Sequence, residues 1–272
     1  MTKLKGSIKR IFAVSSDFKA QTAKYEKIDI RLAILLLLAT YALSIIIGIQ
    51  NAMNWHRFYA TGEYYSINIH RFLRMLQPVV ALGLVLLFLR LRKQGIVTVG
   101  FTKKNLVKSL LLGTAFIIPM LLFYFVFSPL KWPTEFFAGL SPAWIVEWLI
   151  LLIVVTSFTE ELVYRGFLGT RLYGAMKNKV ASIILVGFFF TIMHLVGGIP
   201  LHIAGFSQYV VRNENLIFLF VYYTILHAVF HWLYAKFNNI AAPIVYHTLF
   251  NFIHRAVHEA GINYIALRDY GI

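Results

Sequence analysis

Apolar residues come in long unbroken runs along this chain, and polar residues gather in short clusters between them. A helical crossing of a bilayer core about 30 Å thick needs roughly 20 mostly apolar residues, and seven segments answer to that pattern. They run from Leu32 to Ile49, Leu76 to Leu91 and Leu106 to Phe127, with a fourth starting near Pro142 and a fifth near Val180. Proline suits the first turn of a helix, where its missing N–H has no partner to lose. Leu216 to Tyr234 makes the sixth segment, and Ile240 to about Ile253, which carries polar residues, the seventh. The pattern predicts an all-α fold, a polytopic transmembrane helical bundle of about seven to eight spans. Along it, residues 1–31 read as a basic cytoplasmic N-terminal segment, 32–150 as N-terminal transmembrane helices, 151–254 as the core with candidate chemistry, and 255–272 as a C-terminal tail.

Composition sharpens this picture. Hydrophobic residues make up 59% of the chain and charged ones 14%, with a mean hydropathy of +0.71, well outside the balance of a water-soluble domain. A net charge of +15 raises the idea of nucleic acid, but the basic residues sit in clusters beside apolar runs rather than along one soluble face, so no nucleic-acid partner is expected. Their distribution speaks to topology instead. Short cytoplasmic loops carry the excess of Lys and Arg, and an inside N-terminus puts most of the 26 there, including Arg92, Lys103, Lys104, Arg171 and Lys179. Arg57, Arg74 and Lys131 fall on the opposite side. The expected protein is a multi-pass integral protein of a bacterial-type plasma membrane, with a cytoplasmic N-terminus, membrane lipid as partner and its oligomeric state open. The N-terminus lacks a continuous apolar core with a small-residue cleavage site and does not read as a cleaved signal peptide. The absence of cysteine excludes disulfides and thiolate metal ligands.

Ionisable groups at membrane depth are costly, so their positions point to function or to pairing. The fourth span places Glu160, Glu161 and Arg165 after an apolar run. If its helix continues to about Met176, as the residue types allow, Glu160 lies near mid-depth. Adjacent helical residues point about 100° apart, whereas residues four apart share a face. Glu161 therefore pairs with Arg165 in a structural role, and Glu160, with no cation nearby in sequence, suits a general base taking a proton from water. Two later spans offer partners: Phe190 and His194 four apart, then His247 and Asn251 four apart. Glu160 with His194 can hold and deprotonate water, and His247 with Asn251 can donate hydrogen bonds to a developing oxyanion. Taken singly, each of these residues is as well explained by hydrogen bonds that stitch helices together.

Glu160-Glu161-x-x-x-Arg165 with Gly166 following, then Phe190-x-x-x-His194, then His247-x-x-x-Asn251, resemble the three ordered motifs of the CPBP family of CAAX protease and bacteriocin-processing intramembrane peptidases. The resemblance spans roughly Val154 to Phe252 and leaves the first hundred residues with generic membrane character. It implies a glutamate-dependent endopeptidase whose site opens into the bilayer, with Glu160 and His194 activating water and His247 and Asn251 stabilising the oxyanion. It also implies a membrane-associated protein or peptide substrate, prenylated CAAX-type or a peptide precursor. No cofactor is expected. A zinc ion on Glu160, His194 and His247 is the alternative, disfavoured because HExxH is absent and Asn251 is a poor zinc ligand. A non-catalytic immunity or scaffold protein and a proton-coupled carrier are the competing functions; the carrier lacks the repeats or paired broken helices such proteins use.

Other residues read more simply. His227 and His231, four apart on the sixth span, fit helix packing better than metal binding. Glu147 fits the outer end of the fourth span, and Trp132, Trp144, Trp148 and Trp232 fit interfacial anchoring or packing. Tyr164, four residues after Glu160, is placed to hydrogen-bond it or simply to pack. Residues 197–215 form a long connection suited to a gate or an extra wall.

Overall fold

The computed structural model describes residues 13–61, 67–127, 142–205 and 216–254, and helix is the only regular structure among them. The protein is an all-α polytopic bundle. Helix α1, Ser16–Thr22, starts at Ser15, whose hydroxyl accepts a hydrogen bond from the Phe18 amide at 3.2 Å in a regular N-cap. Phe18 is fully buried against the rings of Tyr173, His231 and Tyr234. The end of the basic N-terminal segment is thus docked onto the bundle.

Helices α2, Lys27–Thr61, and α3, Ile67–Leu91, are longer than their apolar runs. Polar residues end each run in sequence, yet the helices continue through them, some enclosed by protein and others, such as His56 and Arg74, exposed. Asn54 is buried, and Gln77 reaches Ser44 across the two helices at 3.5 Å. The run from Leu106 to Phe127 is divided into α4, Leu106–Ala115, and α5, Ile118–Phe127. Pro119 stands at the break, where it cannot donate to the preceding turn.

Helix α6 runs through residues 142–175 without interruption, so the fourth span does continue to Met176, whose extended backbone ends it. Two stretches, Leu152–Ser157 and Glu161–Gly169, are wound as π-helix, a local unwinding that often marks functional sites. Every residue from Glu161 to Gly169 is buried. Leu162, Phe167 and Leu168 lie in the main hydrophobic core with Leu36, Val85, Val186 and Phe190 of neighbouring helices, which makes α6 the axis of the bundle.

Helix α7, Lys179–Val196, is capped by Asn178, whose side chain accepts from the Ala181 amide. It packs along α9, Leu216–Phe237. The short α8, Ile199–Ile203, begins the long connection and packs on α2; residues 206–215 lie outside the described residues, as do the tail beyond residue 254 and Trp132. Helix α10 covers residues 241–254 and starts under a cap from Asn239, which accepts from the Ala241 amide at 2.8 Å. By length and hydropathy, α2, Phe72–Leu91, Leu106–Phe123, α7 and α9 can each cross a membrane. Leu111, Phe127, Val180 and Ile217 are exposed, as side chains turned toward lipid are.

Candidate active site

The residues singled out in sequence come from three helices and meet in the middle of the bundle. Helix α6 brings Glu160, Glu161 and Arg165, α7 brings Phe190 and His194, and α10 brings His247 and Asn251. Glu160 lies near the midpoint of α6. Glu160, His194, His247 and Asn251 line one cavity of about 500 Å³. Glu160 and His194 also line a second, of about 270 Å³, on the side of α2 and α3. Thr156, Glu160 and His194 are common to both cavities, so these side chains stand where the two meet.

Beneath this surface lies a buried charge pair. Arg165 donates to Glu161 Oε1 at 3.0 Å, and both side chains are fully enclosed. The guanidinium is sandwiched between Phe190 and Phe230, at 4.4 and 4.5 Å from the ring centroids, a cation–π arrangement that replaces part of its lost hydration. Gly166 follows for a steric reason. A Cβ there would come within 2.8 Å of the Val99 carbonyl, which belongs to the 3-10 turn Ile96–Val99 pressed against α6.

The pairing of Glu161 extends further than the helix-face argument reached. His247 Nδ1 lies 2.8 Å from the same Oε1 that Arg165 holds, so Glu161 links α6 to α10 through the imidazole. A carboxylate can only accept, which makes Nδ1 the protonated nitrogen. His247 Nε2 is then turned toward Glu160, 3.7 Å from its Oε2. Phe230 stacks on this imidazole at 4.8 Å between centroids and so braces both His247 and Arg165.

His194 is oriented by the same logic. Its Nδ1 lies 2.8 Å from the Phe190 carbonyl, an obligate acceptor, so Nδ1 carries hydrogen and the Nε2 lone pair is left for the cavities. Tyr223 stacks on the ring at 4.1 Å. Glu160 Oε2 has no hydrogen-bond partner although it is enclosed. Two acceptors, Glu160 Oε2 and His194 Nε2, therefore line the same space.

Tyr223 and Phe230 were not legible as site residues. They are seven apart on α9 and share a face, but that face is also apolar enough to read as ordinary packing. The spacing that did attract notice there, His227 and His231, is packing: both rings are buried, 6.0 Å apart, with His231 against Phe18 and Tyr173. Tyr164 does not bond to Glu160; its ring packs edge-on against Phe190.

Zinc would have to take Glu160, His194 and His247. Among the described residues, no three His, Cys, Asp or Glu side chains are grouped so as to hold a metal ion. The donor set as placed does not fit a three-ligand site, and no step below passes through one.

Residues 141–253 match a family model, Rce1-like, described as type II CAAX prenyl endopeptidase Rce1-like. The site lies in an Rce1-like segment. The matched segment holds every residue of the three motifs. No curated protein and no solved structure matches the chain. The Rce1-like segment does not enclose its site alone, because Thr40, Ser44, Asn51, Arg74 and Gln77, from the helices ahead of it, form the opposite wall of the smaller cavity. Those first helices, read as generic membrane character in sequence, are part of the site's architecture.

Proposed function

We propose that the protein is an intramembrane endopeptidase that hydrolyses a peptide bond in a membrane-associated substrate, with Glu160 and His194 activating water. The observation that carries this reading is the pair of acceptors, Glu160 Oε2 and His194 Nε2, on the same cavity as His247 and Asn251. A water donating one O–H to each acceptor points its lone pair away from both, toward a carbonyl carbon in the cavity. As its oxygen attacks, the proton passes to Glu160. The oxyanion that forms accepts from the Asn251 amide and from His247 Nε2–H in its protonated form, while Glu161 holds the other nitrogen of that ring. Glu160 then delivers the proton to the leaving nitrogen as the C–N bond breaks, and the products are a carboxylic acid and an amine.

The family description supports a prenylated CAAX-type substrate. In this reading the N-terminus is cytoplasmic, as the Lys and Arg bias requires, lipid surrounds the bundle, and neither cofactor nor nucleic acid takes part. Purified protein in detergent or vesicles, given a prenylated peptide, should cleave it. Glu160→Gln should slow cleavage by about 10²- to 10⁴-fold with an unchanged melting profile, and a metal chelator should leave the wild-type rate alone. A Glu160→Gln variant that cleaves as fast as wild type sinks the assignment.

A further inference from the structure

The smaller cavity has two chemically distinct ends. Acceptors Glu160 and His194 stand on the α6 and α7 side; the amide side chains of Asn51 and Gln77 and the guanidinium of Arg74 stand on the α2 and α3 side. Arg74 is solvent- or ligand-accessible rather than buried in the core. It also lines a third cavity, a groove of about 910 Å³ between α3 and the first turns of α6, walled largely by Met75, Val146, Ile150 and Leu151. Val155, Thr156 and Arg74 belong to both, so the apolar groove runs into the Glu160 cavity past Arg74. The groove has its own carboxylate, Glu147, which does not line the Glu160 cavity.

A polar cavity with a cation at the mouth, continuous with an apolar groove, is complementary to one kind of molecule: an extended peptide with an apolar chain and an anionic group close to the bond to be cut. Resting on the peptidase reading above, we infer that Arg74 is a specificity residue that binds a carboxylate of the substrate while the apolar portion lies in the groove. Arginine offers a planar fork matched to a carboxylate, and the neighbouring Gln77 and Asn51 amides supply neutral donors beside it. The carboxylate has two sources, the C-terminus of the peptide or an acidic side chain.

Binding to the inactive Glu160→Gln protein separates these cases and does not depend on turnover. The probes are three S-prenylated tetrapeptides in neutral detergent: one with a free C-terminal carboxylate, one with a C-terminal amide, and one amidated but carrying a glutamate. The free carboxylate should bind about 10- to 100-fold more tightly than the amide, the range expected for a charge-assisted hydrogen bond. Adding Arg74→Gln should make the two bind equally, and Arg74→Lys should restore part of the preference. Recovery by the glutamate peptide assigns the site to an acidic side chain; failure to recover assigns it to the C-terminus. A preference that is absent, or that survives Arg74→Gln, overturns the inference, as does one that appears only when anionic phospholipid is present, which would make Arg74 a headgroup ligand. In wild-type protein, a peptide that binds in this Arg74-dependent way and is never cut would overturn the peptidase reading and leave the carboxylate site standing.

Discussion

Two arginines six positions apart on α6 are both fully buried, yet they are treated in opposite ways. Arg171 spreads its hydrogen bonds over four acceptors and leaves only Nε without one. It reaches the Gly166 carbonyl at 3.0 Å, the Thr170 hydroxyl at 2.9 Å, Gln94 Oε1 at 2.8 Å and the Thr98 carbonyl at 3.3 Å, between the rings of Tyr25 and Phe167. Arg165 has the same aromatic sandwich but one hydrogen-bonding partner, Glu161, and its Nε and Nη2 have none. A buried charge is tolerable only when compensated. Arg171 is compensated by neutral acceptors from three parts of the fold, which pins α6 to the turn after α3. Arg165 is compensated by one carboxylate that also holds His247, which couples it to the site. Several neutral partners mark the structural arginine, and dependence on a single shared carboxylate marks the one that serves chemistry.

The sharpest way to break this comparison is to remove each cation while keeping its length and apolar stem. Arg171→Met strands Gln94 Oε1, while the Gly166 carbonyl keeps the Thr170 hydroxyl and the Thr98 carbonyl keeps Gln21 and Tyr25; it should cost roughly 2 kcal/mol of stability, read as a lower melting temperature in detergent, while the molecules that remain folded cleave at the wild-type rate. Arg165→Met should reach the chemistry as well as the stability. It leaves the enclosed Glu161 carboxylate without its cation, at about 3–5 kcal/mol, and with Glu161 no longer held on one side His247 loses its fixed orientation, so kcat per folded molecule should fall on the order of 10²-fold. Equal losses of activity per folded molecule in the two variants would erase the distinction. Gly166→Ala tests the contact between them: its Cβ must push the Val99 carbonyl from 2.8 Å, at about 1–2 kcal/mol, with stability and activity falling together.

The difference between these arginines also measures what could be read from the sequence. The Glu161–Arg165 pair follows from four-residue spacing on a helix, and so do the Phe190–His194 and His247–Asn251 faces. The long reach of α6 follows from its residue types. What could not be read is whatever depends on partners distant in sequence. Glu161 meets His247 across 86 positions, and Arg171 meets Gln94 across 77; local periodicity carries no trace of either. Arg171 looks like one more positive charge at a cytoplasmic helix end, and only the fold reveals it as buried. The π-helical winding of α6 is likewise invisible in a stretch whose spacing suits an ordinary helix. The extra length of α2 and α3 was hidden because hydropathy treats every polar residue as an exit from the membrane, whereas Asn51 and Arg74 border a cavity of the bundle.

A third arginine sets the lower end of the scale. Arg92 donates to Asp29 Oδ1 at 2.9 Å and to Glu26 Oε2 at 2.7 Å, geometry as good as that of either buried arginine, but its side chain is 27% exposed and Glu26 is more exposed still. Water stands ready to replace it, and Asp29 keeps other donors, Gln94 Nε2 at 2.9 Å and the Glu26 amide at 2.8 Å. Arg92→Gln should therefore cost under about 1 kcal/mol. That cost should shrink as salt is raised, because ions screen an exposed pair far more than a buried one, whereas the penalty of Arg171→Met should barely move. Melting curves of both variants at low and high salt decide the matter. If Arg92→Gln proves as damaging as Arg171→Met and equally indifferent to salt, then hydrogen-bond geometry rather than burial sets the worth of these arginines, and the contrast drawn between Arg165 and Arg171 loses its physical basis.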